Sequence, residues 1–337
     1  MTKPLLRYGV IGLGFMGQIH VRAVQAAAAQ GLPCVLAAVA DPDANRRTGR
    51  PTASGNLESS ADEANLFDPR TVKTFEAGED LIRSGEVDLI SICTRTDTHV
   101  AMTMAALDAG VHVLVEKPVA LESEAIRSLI AARDGSRSLV MPAMCMRFWP
   151  GWEWLIEQIR DGRWGAPLSG TFRRLSASPT WSTEFYGNLT KSGGALFDLH
   201  IHDVDFITAA FGIPSAVRAT GHPLHVTGCY EYEDGPSHVT AEGAWDMPEG
   251  FPFRMEYTVV MENAVAEYRS DREVPLVLRR KGSSALEEIT LSPRSGYEAE
   301  VAAFVTAVSD GTSPPVTLED ALATTELLEA ESRALSR

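Results

Sequence analysis

The run GGALFDLHIHDVDF, Gly193 to Phe206, carries Asp198, His200, His202, Asp203 and Asp205 among Leu, Ile, Val and Phe. Charged groups in apolar surroundings cost desolvation free energy unless they are paired or used in chemistry. On a strand, His200 and His202 would share a face and could chelate a metal ion. On a helix they stand about 200° apart and cannot bind one ion together. Leu199, Val204, Phe206 and Ile207 interleave with the polar positions at helical period, so a helix is expected and no metal. Asp198, His202 and Asp205 then fall at i, i+4 and i+7, one stripe. An Asp one turn before a His can hold or polarise it, and His is the side chain poised to exchange a proton near neutral pH. General-base chemistry by His202, oriented by Asp198, is the expectation. Gly193 and Gly194 would let backbone approach a substrate. A polar helix face accounts for Asp203 and for Asp205, and His200 receives no role.

A second group of residues suits phosphate. RYGVIGLGFMGQIHVRAVQAA reads as a buried strand, a glycine turn and a helix, with Gly12, Gly14 and Gly17 spaced G-x-G-x-x-G around Phe15 and Met16. Gly12 permits the turn, Gly14 lets backbone approach a pyrophosphate, and Gly17 lets helix pack close to strand. The helix N-terminus offers free N–H groups and its positive dipole end. The next buried strand, CVLAAVADPD, ends at Asp41, where a carboxylate can accept from two ribose hydroxyls and repel a 2′-phosphate. A dinucleotide is expected here, NAD in preference to NADP. Thr94 and Glu116-Lys117-Pro118 lie at the carboxyl ends of two further apolar strands, where ligands sit in sheets of this kind.

The elements that position these groups divide the 337 residues into two halves. VKTF, EDLIRSG, VDLISICT, THVAMTMAALDAG and VHVLVEKPVAL continue a strand–helix alternation, which implies a doubly wound parallel sheet. Residues 43–70 are polar and irregular, with a short helix expected near Ser60 to Leu66. After residue 165, TFRRLSA, AVRATGHPL, HVTAEGAW, FRMEYTVVM, AVAEYRS and LVLRRK read as strands between Gly, Pro, Asn and Asp turns. Two helices close the chain, the second with Thr317 as N-cap and Asp320 completing a near capping box.

Composition narrows the partners. The net charge is −15, against nucleic acid and anionic membrane surfaces. Late acids such as Glu319, Asp320, Glu326, Glu329 and Glu331 read as solvated helix faces. No apolar run spans a bilayer, and the first strand begins too early for a signal peptide. Cys34, Cys93, Cys145 and Cys229 are widely spaced, as reduced cysteines in a cytoplasm would be.

With GLGFMG before it and GGALFDLHIHDVDF after it, VLVEKPVAL resembles the pattern of the Gfo/Idh/MocA oxidoreductases, named for glucose–fructose oxidoreductase, inositol dehydrogenase and a rhizopine-catabolism protein. The resemblance runs from Tyr8 to about Ser332. It implies an α/β Rossmann domain with a doubly wound parallel sheet over 1–125. An α+β substrate-binding and oligomerisation domain with a large open, mostly antiparallel sheet would follow over 126–337. Lys117 matches the lysine that contacts the substrate hydroxyl and the nicotinamide region, and Asp198 and His202 match the D-x-x-x-H pair beside the substrate. Glu116 matches a residue near the nicotinamide ribose. Thr94 and His99 match a T-P-x-x-x-H cofactor loop in which Arg95 replaces proline, a change expected to loosen the backbone. Arg147 matches a loop facing the cofactor. His200 stands where glycine is often found.

The implied activity is NAD-dependent oxidation of a secondary hydroxyl on a sugar, cyclitol or related polyol. An NAD-dependent glycosidase or lyase acting through a transient ketone is the alternative, as is a non-catalytic dinucleotide sensor. Trp149 and Trp181, in Pro-containing loops, are candidate substrate contacts. Trp152, Trp154 and Trp164 are expected to pack. Arg147, Arg173 and Arg174 could hold hydroxyls or a carboxylate, with Arg173 the substrate candidate. An open sheet with one apolar face favours a homodimer or homotetramer.

Overall fold

The structure, a computed structural model, describes residues 3–51, 65–180 and 182–335, and the chain divides into two compact units. The first comprises 1–144 and 296–322, the second 145–295 and 323–337.

In the first unit, β1 (Leu6–Ile11), β2 (Cys34–Ala40), β3 (Lys73–Phe75), β4 (Leu89–Ile92), β5 (His112–Glu116) and β6 (Val140–Ala143) form one parallel sheet in the order β3-β2-β1-β4-β5-β6. The helices α1 (Phe15–Ala29), α2 (Gly78–Arg83), α3 (Thr96–Asp108) and α4 (Ser123–Asp134) make its crossovers. Strands buried on both faces explain why β1, β4 and β5 are rich in Val, Leu and Ile. The expected doubly wound parallel sheet is present. The expected boundary at 125 falls inside the unit, because α4 leads into β6, which pairs with β5 from Val113↔Val140 to Glu116↔Ala143. A later helix, α10 (Gly296–Asp310), also belongs here, packing on α1 through a face that includes buried Val301, Phe304 and Val305. No local pattern marks such a return. Most of the short helix expected near Ser60 to Leu66 lies outside the described residues.

In the second unit, α5 (Pro150–Arg160) precedes the long strand β7 (Pro167–Ala177). The short helices α6 (Thr183–Tyr186), α7 (Leu189–Ser192) and α8 (Gly194–Asp198) lead to α9 (Ile201–Phe211). Then come β8 (Ala216–His222), β9 (His225–Glu231), β10 (His238–Met247), β11 (Arg254–Met261), β12 (Ala264–Arg269), β13 (Leu276–Arg280) and β14 (Leu286–Glu288). The eight-stranded sheet runs β14-β13-β12-β11-β7-β10-β9-β8, antiparallel except where β10 lies parallel to β7. Alternation along each strand sends Phe172, Arg174, Tyr230, Trp245, Tyr257 and Tyr268 to one buried face. Trp152 of α5 packs edge-on against Tyr257 and Tyr268, and Phe206 of α9 lies against Phe172.

The last helix is α11 (Leu318–Leu335), and its start follows the expected cap: the Asp320 carboxylate accepts from the Thr317 N–H at 2.8 Å, and the Asp320 N–H donates to the Thr317 hydroxyl at 3.2 Å. The expectation of solvated acids along this helix fails at Glu331, which is fully buried. None of the four cysteines forms a disulfide. Among the described residues no helix is long and apolar enough to cross a membrane.

The second face of the large sheet carries a band of charged pairs. Arg173 pairs with Glu242 at 2.6 Å, Arg269 with Asp271 at 3.0 Å, and Arg279 with Glu267 at 3.2 Å. His225 joins this band between Glu242 at 3.1 Å and Asp246 at 2.9 Å. Partial burial lowers the His225 pKa, but the two carboxylates outweigh it and the net shift is upward. A raised folded-state pKa adds stability that is complete below the unfolded value, about 6.5, and is lost as pH rises through the folded value. Thermal unfolding from about pH 5 to pH 8 should therefore show wild type losing its advantage over His225→Gln as pH rises. A difference that stays constant, or grows, with pH would contradict the assignment.

Candidate active site

The glycine turn is built as its sequence requires. Gly12 has φ +85°, and a Cβ there would lie 2.7 Å from the Cys93 carbonyl oxygen. A Cβ on Gly17 would lie 1.7 Å from the Gly12 carbonyl oxygen, so helix and turn meet in direct backbone contact. Gly14 is the open one: the nearest group a Cβ would meet is the Arg46 guanidinium at 4.0 Å. That free approach, at the N-terminus of α1, fits a pyrophosphate. Phe15 and Met16, half-buried, begin the helix. Gly17→Ala should weaken NADH binding by at least about tenfold, because the turn must open to admit the methyl group. A fluorescence titration with unchanged affinity would refute this.

Asp41 does more than was expected. It is 3 % exposed, and one oxygen accepts from the Leu13 N–H at 2.7 Å, tying the end of β2 to the glycine turn. Its other oxygen accepts from the Asp43 N–H at 2.8 Å. Two arginines lie against this residue: Arg46 comes within 3.4 Å of the carboxylate, and Arg47 donates to the Asp41 carbonyl at 2.5 Å.

At the end of β4, the Thr94 and Thr98 hydroxyls are 2.7 Å apart. Arg95, in the expected proline position, has φ −77° and ψ 149° as the N-cap of α3. A proline ring would hold nearly the same φ, so Arg95 takes up the backbone geometry that proline would impose there. His99 is buried, with Nδ1 2.8 Å from the Pro118 carbonyl and Nε2 3.1 Å from that of Thr94. Burial lowers its pKa despite those two contacts. Its visible work is to tie the Thr94 loop to the end of β5. There Glu116 is buried, Lys117 is half-buried, and the Lys117–Pro118 peptide is cis. Glu116 accepts from the Lys117 N–H at 3.1 Å and is joined at 2.9 Å to His20 of α1.

In the second unit, the run from Gly193 to Phe206 is not one helix. α8 ends at Asp198, and α9 begins at Ile201 after a break at Leu199 and His200. The single stripe of Asp198, His202 and Asp205 is thereby corrected. Gly193 and Gly194 both have positive φ, +71° and +67°. Their missing side chains leave room for Phe197 and for the Pro223 carbonyl oxygen, 2.4 Å and 2.6 Å from where each Cβ would be, rather than for a substrate.

Asp203 and Asp205 are not a solvated face. Asp203 receives two hydrogen bonds from Arg174 at 2.9 Å each, with both residues buried. Arg147 makes a second two-point pair with Asp205, at 2.9 and 2.7 Å. Arg147 and Arg174 thus hold carboxylates of the protein itself. His200 lies 3.1 Å from the buried Glu331 of α11, and the Tyr230 hydroxyl donates to that carboxylate at 2.6 Å. Three of the five titratable side chains in the run are therefore sequestered. Asp198 and His202 are the two that keep partial exposure, and His202 Nδ1 lies 3.9 Å from the Cys145 thiol. Among the described residues no group of three His, Cys, Asp or Glu is placed to hold a metal.

Arg173 stands on the sheet face opposite Arg174, and so opposite the face that Asp203 and α9 cover, which separates it from Asp198 and His202. Trp149 caps α5, half-buried, with its indole bonded to the Tyr268 hydroxyl. Trp152 is fully buried, as expected, and Trp164 packs under Arg163 and Arg280. Trp181 lies outside the described residues. Sequence reasoning missed His20 and Glu331. Each is an ionisable residue on the buried side of a helix; for His20 the signal was legible, since it follows Gly17 by one turn and adjoins Val21.

Residues 6–143 match the family model described as oxidoreductase family, NAD-binding Rossmann fold, and residues 152–267 match the GFO/IDH/MocA C-terminal domain. The rhizopine catabolism protein MocA of Rhizobium meliloti is 32% identical over 61% of this chain and 56% of its own length. Inositol 2-dehydrogenase of Rhizobium meliloti (strain 1021) is 30% identical over 65% of this chain and 59% of its own. The chain thus spans under two thirds of either relative. Levoglucosan dehydrogenase in complex with NADH and levoglucosan superimposes with a TM-score of 0.80 at 18% identity, covering 98% of this chain and 97% of that one. UDP-N-acetylglucosamine 3-dehydrogenase from Acidithiobacillus ferrooxidans gives 0.78 at 23% identity with the same coverage. These two likenesses concern the fold.

Proposed function

The chain belongs to the Gfo/Idh/MocA family of NAD-binding oxidoreductases, and from that premise we propose that it oxidises a secondary hydroxyl of a sugar, cyclitol or related polyol. The observation that carries the reading is the sorting of charges between Gly193 and Phe206. Asp203, Asp205 and His200 are consumed by buried partners, while Asp198 and His202 keep access to solvent. A partly exposed histidine four residues after a carboxylate at a helix end is suited to moving a proton.

The glycine turn, with open space before Gly14 and no room behind Gly17, fits the pyrophosphate of NAD. When bound, NAD⁺ supplies the hydride acceptor for the carbinol carbon. Lys117 donates to the substrate oxygen and stabilises the negative charge that develops there. His202 takes the hydroxyl proton, and Asp198 fixes the hydroxyl or the imidazole. A positioned base of this kind is worth about 10²–10⁴ in rate. Thr94, His99, Glu116 and Arg147 shape the cofactor side, His99 and Glu116 through the backbone they hold, and Trp149 contributes an aromatic wall.

The reading is tested with a panel of inositols, aldoses, anhydrosugars and nucleotide sugars, followed at the NADH absorbance with NAD⁺ and NADP⁺ in parallel. Formation of NADH on at least one member is expected. Bound nucleotide with no reduction on any member, at high protein concentration, would overturn it.

A further inference from the structure

A row of buried polar side chains crosses the first unit beneath Lys117. The Tyr8 hydroxyl on β1 lies 2.8 Å from the Ser91 hydroxyl on β4, and Ser91 lies 2.8 Å from His20 Nδ1 on α1. His20 Nε2 lies 2.9 Å from Glu116 Oε1 at the end of β5, and Glu116 Oε2 accepts from the Lys117 N–H at 3.1 Å. Tyr8, Ser91 and His20 are fully buried and Glu116 is 6 % exposed. With a neutral imidazole and an ionised carboxyl, the donors and acceptors close in one direction. Tyr8 gives its proton to Ser91, Ser91 gives its own to Nδ1, and Nε2–H gives to the carboxylate, which leaves the second carboxylate oxygen for Lys117. A complete buried network is rigid, and a half-satisfied one is costly.

We propose that His20 is a positioning residue: through Glu116 it fixes Lys117 relative to the glycine turn one helical turn earlier on α1. The proposal rests on the reading of Lys117 as the residue that meets the substrate oxygen. Gly17 and His20 share the first turns of one helix, so the segment that receives pyrophosphate also carries the imidazole that anchors the end of β5. The titratable neighbours of Glu116 and His20 are Tyr8, Cys93, His99, Lys117 and Glu300. Burial pushes Tyr8 and Cys93 up and His99 down, which keeps all three uncharged near neutral pH. Among these neighbours Glu116 is the one bonded to the Lys117 backbone.

The test uses the full chain without substrate. Trace acetic anhydride labelling of Lys117, read by peptide mass spectrometry from about pH 6 to about pH 11, reports the exposure and proton affinity of its amine. His20→Phe keeps the volume and removes both ring hydrogen bonds. His20→Gln keeps one donor and one acceptor, and Ser91→Ala removes only the middle hydroxyl. His20→Phe should change the Lys117 labelling rate by about threefold or more and move its pH midpoint, with His20→Gln recovering part of the change. Ser91→Ala should give a smaller shift in the same direction, and it stands in if His20→Phe does not fold. An unchanged Lys117 profile in His20→Phe, or in Ser91→Ala when it stands in, would overturn the proposal. So would a His20→Gln profile displaced as far as that of His20→Phe, since packing alone would then explain it. The labelling needs no turnover, so a failed polyol panel would sink the dehydrogenase reading and leave this result standing.

Discussion

Lys117→Ala and His202→Ala should each lower kcat/KM by about a hundredfold or more, roughly 2.7 kcal/mol of transition-state stabilisation. In the proposed mechanism, Lys117→Ala removes the charge that helps the alkoxide form, and His202→Ala removes the proton acceptor. NADH affinity should change by less than about threefold in both, because the glycine turn and Asp41 are untouched. The two losses should not add in full, since the proposed mechanism has both residues serve one chemical step. The check is steady-state kinetics on whichever alcohol in the panel reduces NAD⁺, with nucleotide affinity measured separately. Near-normal turnover in both variants would make these residues scaffold.

The largest stability loss is expected at Asp203. Its carboxylate and the Arg174 guanidinium are both buried, joined by two hydrogen bonds of 2.9 Å, and the guanidinium also lies 5.7 Å from the centre of the Trp152 ring. Asp203→Ala would strand a buried cation, a change worth about 3–5 kcal/mol. Replacing both partners by apolar residues, as in Arg174→Met with Asp203→Leu, should recover most of that loss, because the desolvated charges are then both gone. Urea unfolding of the two variants decides it. A single variant within about 1 kcal/mol of wild type would mean that water reaches the arginine.

What the sequence made legible follows from how local each signal is. The glycine turn, the buried strands and the Thr317–Asp320 cap are set by neighbours in the chain, and all three stand as read. The fate of the charges between Asp198 and Asp205 was not local. Asp203 is claimed by Arg174 from β7 and His200 by Glu331 from α11, partners 29 and 131 residues away by sequence number. Periodicity therefore placed these residues on a helix but not in pairs, and it missed the break at Leu199 and His200. The same limit explains Arg173: the alternation of β7 was readable, yet which of its faces carries α9 was not. Nothing between residues 125 and 144 announced that one more strand completes the first sheet, and α10 returns to that sheet's unit from far along the chain.

The bond from Leu13 N–H to Asp41 has a bearing on redesign. Exchanging nucleotide preference in a Rossmann domain is usually approached by neutralising the acid that reads the ribose and adding a cation nearby. In this chain the cation is already in place as Arg46, and the acid is also a strut of the phosphate loop. With Asp41 as the expected ribose-reading acid, Asp41→Ala should therefore erase discrimination and slacken the loop together. A substitution that keeps an acceptor at that position, Asp41→Ser or Asp41→Asn, separates the two effects, so altered preference and retained affinity become independent design goals.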